Sequence, residues 1–150
     1  MDAIQFLKQE HQKAKAAFTR VLEAAPTQRG RLWKDLQPEL AAHEEVEETC
    51  LYGPLEDEAP SDRKLTEWVS GRHEKDVESV ESMMKEAEKL EPQGERWLSK
   101  IRQIHAALES HIRREEGEIF PRIGQCWDAS KLAKAGEEMH EMMAEKAERG

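Results

Sequence analysis

HEEVEETCLYGP (His43–Pro54) and HIRREEGEIFP (His111–Pro121) decide the reading of this chain. Both open on a histidine and place two glutamates four and five residues later. Both close on an aliphatic residue, an aromatic residue and a proline, with one extra glycine, Gly53, in the first copy. Residues four apart lie on one helix face, so His43 with Glu47, and His111 with Glu115, point into the same space. Each copy follows a further histidine, His11 or His73. The chain therefore reads as two helical hairpins with equivalent polar patterns.

The surrounding sequence supports helices throughout. Breakers at Pro26–Gly30, Gly53–Ser61, Glu91–Gly94 and Pro121–Ser130 cut the 150 residues into pieces at about 2–25, 28–52, 62–90, 94–120 and 130–148. These pieces are rich in Glu, Lys, Ala and Gln, and almost nothing reads as a strand. Asp2, Ser61 or Asp62, and Ser130 stand where N-caps belong. Pro38 is expected to kink the second piece or split off its first turns. Counting the histidines and glutamates that interrupt them, seams of apolar residues recur in steps of three and four: Ile4, Leu7, Ala14, Phe18 and Val21, then Trp33, Leu36, Leu40 and Cys50. The series continues with Val69, Val77, Val80 and Met84, and then Trp97, Ile101, Ile104, Leu108 and Ile119. Such narrow seams belong to antiparallel helices joined by short loops. The expected fold is all-α: one domain over 1–150, an up-down-up-down four-helix bundle with an additional C-terminal helix.

Composition alone points elsewhere. Net charge is −9, 37% of residues are charged and mean hydropathy is −0.88. Leu, Ile, Val and Phe make up roughly a sixth of the chain, below the ~20% under which a highly charged sequence is suspected of disorder. Narrow seams resolve the conflict, because each helix buries only a stripe. The acidic balance and the lack of a basic stretch argue against nucleic acid as partner. No stretch approaches a membrane span, and there is no secretory signal, so a cytoplasmic location is expected. Cys50 and Cys126 form no disulfide framework or CxxC pair. Dinucleotide, phosphate-loop and nucleophile-elbow motifs are absent.

Each of the four seams is interrupted by one histidine: His11, His43, His73 and His111. Two seams add a carboxylate, Glu47 and Glu115. A buried carboxylate must be protonated, paired or bound to metal, since leaving it bare costs several kcal/mol. Four imidazoles and two carboxylates converging in one layer are a metal ligand set rather than a packed core. One tetrahedral zinc needs only four donors, whereas six suit a pair of octahedral ions, and mixed imidazole and carboxylate donors fit iron or manganese.

The order His11, His43xxxGlu47, His73, His111xxxGlu115 resembles the hemerythrin-like, HHE cation-binding proteins. The resemblance implies two iron ions, oxo- or hydroxo-bridged, with manganese or zinc as alternatives. It gives His11 and His43 to one ion and His73 and His111 to the other, with Glu47 and Glu115 bridging. Two departures stand out against the oxygen-carrying members. Val77 occupies the place of a second histidine in the third helix, and HxxxE, with Glu116 at the fifth place, replaces HxxxxD. Glu44 is placed to add an oxygen donor, as in a related iron-sensing ubiquitin-ligase subunit. More carboxylate and less imidazole favours ferric iron and leaves a coordination position open. The expected chemistry is reaction with O2, hydrogen peroxide or nitric oxide, catalase- or peroxidase-like. The alternative is a non-enzymatic iron or oxygen sensor, store or carrier.

Other residues fall outside this set. Tyr52 fills the aromatic-proline slot that Phe120 takes in the second copy; it is a packing residue that could also reach iron. Cys50 reads as a small buried residue, His105 as a surface histidine, and Met139 and Met143 as packing in the last helix, with His140 beside them. That helix could cap the bundle, shield the pocket or pair with another subunit. The oligomeric state is not legible.

Overall fold

In the computed structural model, residues 1–149 are described, and they form five helical rods without strands. Rod α1 is Ala3–Glu23. Rod α2 runs from Pro26–Glu47 through a π turn, Glu48–Tyr52, into Gly53–Glu58. Rod α3 runs from Arg63–Glu67 through a π turn, Trp68–Arg72, into His73–Glu88. Rod α4 runs from Glu95–Arg114 through a π turn, Glu115–Ile119, into Phe120–Cys126, and α5 is Ala129–Arg149. Connections are short, so successive rods are antiparallel; α5 packs against α1 and α2. Among the described residues no helix is long and apolar enough to cross a membrane.

Local chemistry fixes the ends. Asp2 accepts from the Gln5 amide while the Gln5 side chain accepts from the Asp2 amide, a reciprocal capping box. Asp62, not Ser61, caps α3 through the Leu65 amide. At α5 the cap is Asp128, on the Lys131 amide at 2.8 Å, and Ser130 lies inside the helix. Gly136 lies where α5 crosses the N-terminus of α1; a Cβ there would meet the Met1 carbonyl oxygen at 2.4 Å.

The helices run on through three prolines. Pro38 sits inside α2 without splitting it. Pro38 and Lys34, whose carbonyl loses its N–H partner, are both exposed, so water can take that bond. The second and fourth helices also continue past the expected ends at 52 and 120, through Pro54 and Pro121. A π turn precedes each proline: Gly53 bonds back to the Glu48 carbonyl and Phe120 to the Glu115 carbonyl, five residues away. The wider ring moves the preceding turn off the pyrrolidine and lets the helix go on.

The core is in two parts. One packs Leu7, Leu51, Leu55, Leu65, Trp68, Phe120 and Ile123 with Leu132 and Met139 of α5. The other packs Phe18, Val21, Trp33, Leu36, Trp97, Ile101 and Ile104. Buried Arg29 closes the far end of the second part, donating to the Pro92 and Gln93 carbonyls over the Trp97 ring. Between the two parts lies a buried layer of polar side chains: His11, Glu47, His73, His111 and Glu115.

Candidate metal centre

α1 contributes His11 at mid-length, α2 His43, Glu44 and Glu47, α3 His73, and α4 His111 and Glu115. The three π turns lie at this level: one starts directly after Glu47, one ends directly before His73, and one starts at Glu115. Each changes the helical phase beside a ligand-type residue, a placement common for π turns at functional sites.

The structure brings all six expected residues together. His11 and His43 rings stand 5.1 Å apart, and His73 and His111 rings 5.2 Å apart. Glu47 lies between the pairs: Oε2 is 3.1 Å from His43 Nε2, and Oε1 is 2.8 Å from His73 Nε2. Glu115 Oε1 is 3.4 Å from both His11 Nε2 and His111 Nε2. Glu44 joins the second pair, its Oε2 3.2 Å from His73 Nε2. Two donor groups result: Glu44, Glu47, His73 and His111, and His11, His43 and Glu47.

These close approaches are not hydrogen bonds. Nε2 of His11, His73 and His111, both Glu47 oxygens and Glu44 Oε2 are buried without a hydrogen-bond partner among the described residues. Such groups are costly unless something else satisfies them. Donors at about 2.1 Å from an ion in adjacent octahedral positions lie about 3 Å from one another. The observed 2.8–3.4 Å separations match that spacing, so the donor set fits cations shared through Glu47.

Outer partners fix the rings. His11 Nδ1 stands 2.6 Å from Glu116 Oε2, and His111 Nδ1 stands 3.0 Å from Asp76 Oδ2. A proton on each Nδ1, donated to the carboxylate, leaves Nε2 bare and facing inward. His11 stacks on Phe120, and His111 on Trp68. The Tyr52 hydroxyl donates to Glu115 Oε2 at 2.6 Å, and its ring meets His73 edge-on at 4.6 Å. Asp76 and the role of Glu116 escape a reading of spacing, because each meets a histidine on another helix. Only their positions on a ligand helix, three residues after His73 and directly after Glu115, hinted at them.

Electrostatics agree with this layout. Without a cation, burial lowers the His43 pKa, but the Glu47 carboxylate outweighs it and lifts the value to about 9. Burial also opposes protonation of His73, yet Glu44 and Glu47 raise it to about 11. Burial and Glu44 push Glu47 upward; the flanking imidazoles prevail and hold it below the usual carboxylate range. Glu115 is raised by burial and by the Glu47 charge. Burial, with Glu115 and Glu47, pushes the Tyr52 phenol well above its ordinary value, so it stays protonated as a donor.

The remaining candidates lie elsewhere. Cys50 is buried but turns its thiol to Met142, 3.4 Å away, and burial raises that thiol to about 11. His105 is half-buried rather than free on the surface, stacked on Phe18 and beside Glu109. His140 is exposed, edge-on to Phe6.

Residues 2–123 match the family described as Hemerythrin HHE cation binding domain. The fold is similar to the crystal structure of a hemerythrin HHE cation-binding domain-containing protein from Mycobacterium kansasii. The TM-score is 0.83 at 20% identity, with 97% of this chain and 87% of that chain covered. No curated protein matches the sequence.

Proposed function

The chain belongs to the hemerythrin HHE cation-binding domain family, and from that premise we propose that its polar layer holds two iron ions for redox chemistry with O2, hydrogen peroxide or nitric oxide. The observation that carries this reading is Glu47. Its two buried oxygens have no hydrogen bonds and face different histidine pairs. His11 and His43 would hold one ion, and His73, His111 and Glu44 the other, with Glu47 and Glu115 between them. An iron pair supplies one- and two-electron exchange with small oxidants, including conversion of two H2O2 to O2 and two H2O.

The chain's own residues prepare that exchange. The group around His11 and His43 has fewer protein donors than the group around His73, so an exogenous ligand meets least competition there. Glu116 and Asp76, each on an Nδ1, fix the rings of His11 and His111 with Nε2 turned into the layer, and the Tyr52 hydroxyl holds one Glu115 oxygen in place. Trp68 and Phe120, both buried, stack on His111 and His11 and shield that side of the layer.

A second reading, a non-enzymatic iron or oxygen sensor, store or carrier, is favoured by the divided core. A buried layer of unsatisfied groups between two apolar clusters ties fold stability to occupancy. One experiment separates the two: load Fe(II) anaerobically, measure metal per chain, and admit O2 and then peroxide while recording the visible spectrum and peroxide loss. Multiple-turnover peroxide consumption supports the redox reading. A reversible colour change without turnover supports the carrier or sensor. Failure to bind two ions per chain refutes the site itself.

A further inference from the structure

Beside the metal layer the bundle is under-filled. Along α2 no side chain between Leu36 and Val46 is fully buried except at those ends, and along α3 none between His73 and Ala87. The two stretches line a chamber of about 910 Å³ that is partly open to solvent and is bordered also by α1, α4 and α5; its inner end is formed by His11, His43, Glu44, His111 and Glu115. Its middle is lined by Leu40, Val77, Val80, Met84, Leu108 and Ile112. Leu40, Val80, Met84 and Leu108 pack on the second core cluster with only part of their surface. The seam residues expected to close the third helix onto its neighbours line this space instead.

Water can bond at the charged rim of this partly open space, but the aliphatic middle holds it poorly. A water molecule takes up about 30 Å³ and needs two to four polar partners, which aliphatic walls do not offer. Chambers of about 300–1,000 Å³ with apolar walls and a polar end are what organic ligands occupy. The charges select further. Lys13 and Lys146, both at the chamber, are already paired with Glu10 and Glu45. Asp35, Glu39 and Glu81 line it with no cationic partner among the described residues. An anion therefore meets carboxylates that are not neutralised, while a neutral apolar body meets the aliphatic walls.

We propose that this chamber binds an uncharged, predominantly apolar organic molecule, lying between α2 and α3 with its inner end against the metal layer. The inference concerns binding alone and goes beyond the redox reading, so it stands or falls whether or not peroxide is turned over.

The test uses the full chain loaded with zinc, which is redox-silent and diamagnetic, carrying methyl labels on Ile, Leu, Val and Met. Titration with 1-decanol is expected to give saturable shifts of the methyls of Leu40, Val77, Val80, Met84, Leu108 and Ile112. Decanoate, of the same chain length, is expected to bind at least about tenfold more weakly. Val80→Trp and Leu108→Trp each place an indole in the chamber at a position that is not itself one of the metal-layer residues. Each should weaken decanol binding about tenfold or more at unchanged zinc content. Absence of saturable shifts, shifts confined to surface methyls, or full affinity retained in both tryptophan variants would overturn the proposal. Equal affinity for decanoate would overturn the uncharged class.

Discussion

Replacing Tyr52 by phenylalanine isolates one bond at the centre of the site. The ring keeps its edge contact with His73 and its place beside Trp68, 6.2 Å away, so no cavity opens. What disappears is the hydroxyl donating to Glu115 Oε2 at 2.6 Å, between two buried groups. A hydrogen bond to a charged acceptor is worth about 1.5–3 kcal/mol, and this acceptor has no water to replace the donor. In a domain of this size that corresponds to a fall in Tm of roughly 3–12 °C for the chelated protein. A second effect follows on metal binding. Burial and Glu47 already favour protonation of Glu115; losing a donor to its carboxylate favours protonation more, and a cation must then displace that proton. Affinity should fall about 10–100-fold, the usual effect of losing an outer partner of a metal ligand. Calorimetry of the chelated variant and competition against a chelator measure the two effects separately. An unchanged Tm together with an unchanged affinity would refute the reasoning, because it would mean that the phenol does not hold Glu115.

Other substitutions and conditions probe the remaining parts. Glu47→Gln keeps the volume but removes the charge shared by both histidine pairs, so metal per chain should drop from two to one or none by elemental analysis. Asp76→Asn replaces the acceptor of His111 Nδ1–H with a weaker amide oxygen and should cost about tenfold in affinity by chelator competition, with little change in helicity. Chelation of the wild type should remove about 4 kcal/mol of stability relative to protein with free metal near a thousandfold Kd. That is a Tm difference of roughly 8–16 °C by calorimetry. For pH, His43 at about 9 and His73 at about 11 lie above their ordinary 6.5 in the chelated protein. A raised folded-state value stabilises in full below the unfolded value and is lost as pH rises through the folded one. Denaturant titrations of chelated protein should therefore show their contribution declining from about 6.5 toward 11, a decline the metal-loaded form should not follow.

The sequence exposes those parts of the site whose members share a helix. His43 with Glu47, and His111 with Glu115, are neighbours by helical spacing, and a polar residue inside an apolar seam is visible without coordinates. Pairings between helices are invisible to spacing, which is why Asp76 beside His111 and Glu116 beside His11 emerge only from the fold. The helix ends escape the sequence for a different reason. Proline stops a helix by clashing with the turn before it, so 52 and 120 look like ends. A π turn relieves that clash, and nothing in the composition announces one. The under-filled middle was hidden because Val77, Val80 and Met84 carry the correct period; periodicity gives the face a residue occupies but not whether the opposite wall reaches it.

The π turns tie the repeat to the chemistry. In an unbroken α-helix the residues nearest in direction to Glu47 and Glu115 are three and four positions on, which would turn the aromatics at the fifth position aside. A turn closed over five residues changes that phase. Tyr52, five after Glu47, and Phe120, five after Glu115, are both buried at the layer, one bonded to Glu115 and the other stacked on His11. The spacing from HxxxE to the aromatic and proline is thus a single device used twice. The proline follows a widened turn, the turn swings the aromatic inward, and the aromatic packs or bonds against a residue contributed by another helix. At the aromatic itself the copies differ in that the first presents a hydroxyl and the second a bare ring. That difference makes the layer chemically asymmetric: Glu115 has a phenolic donor on one oxygen, whereas both oxygens of Glu47 remain free to face the two histidine pairs.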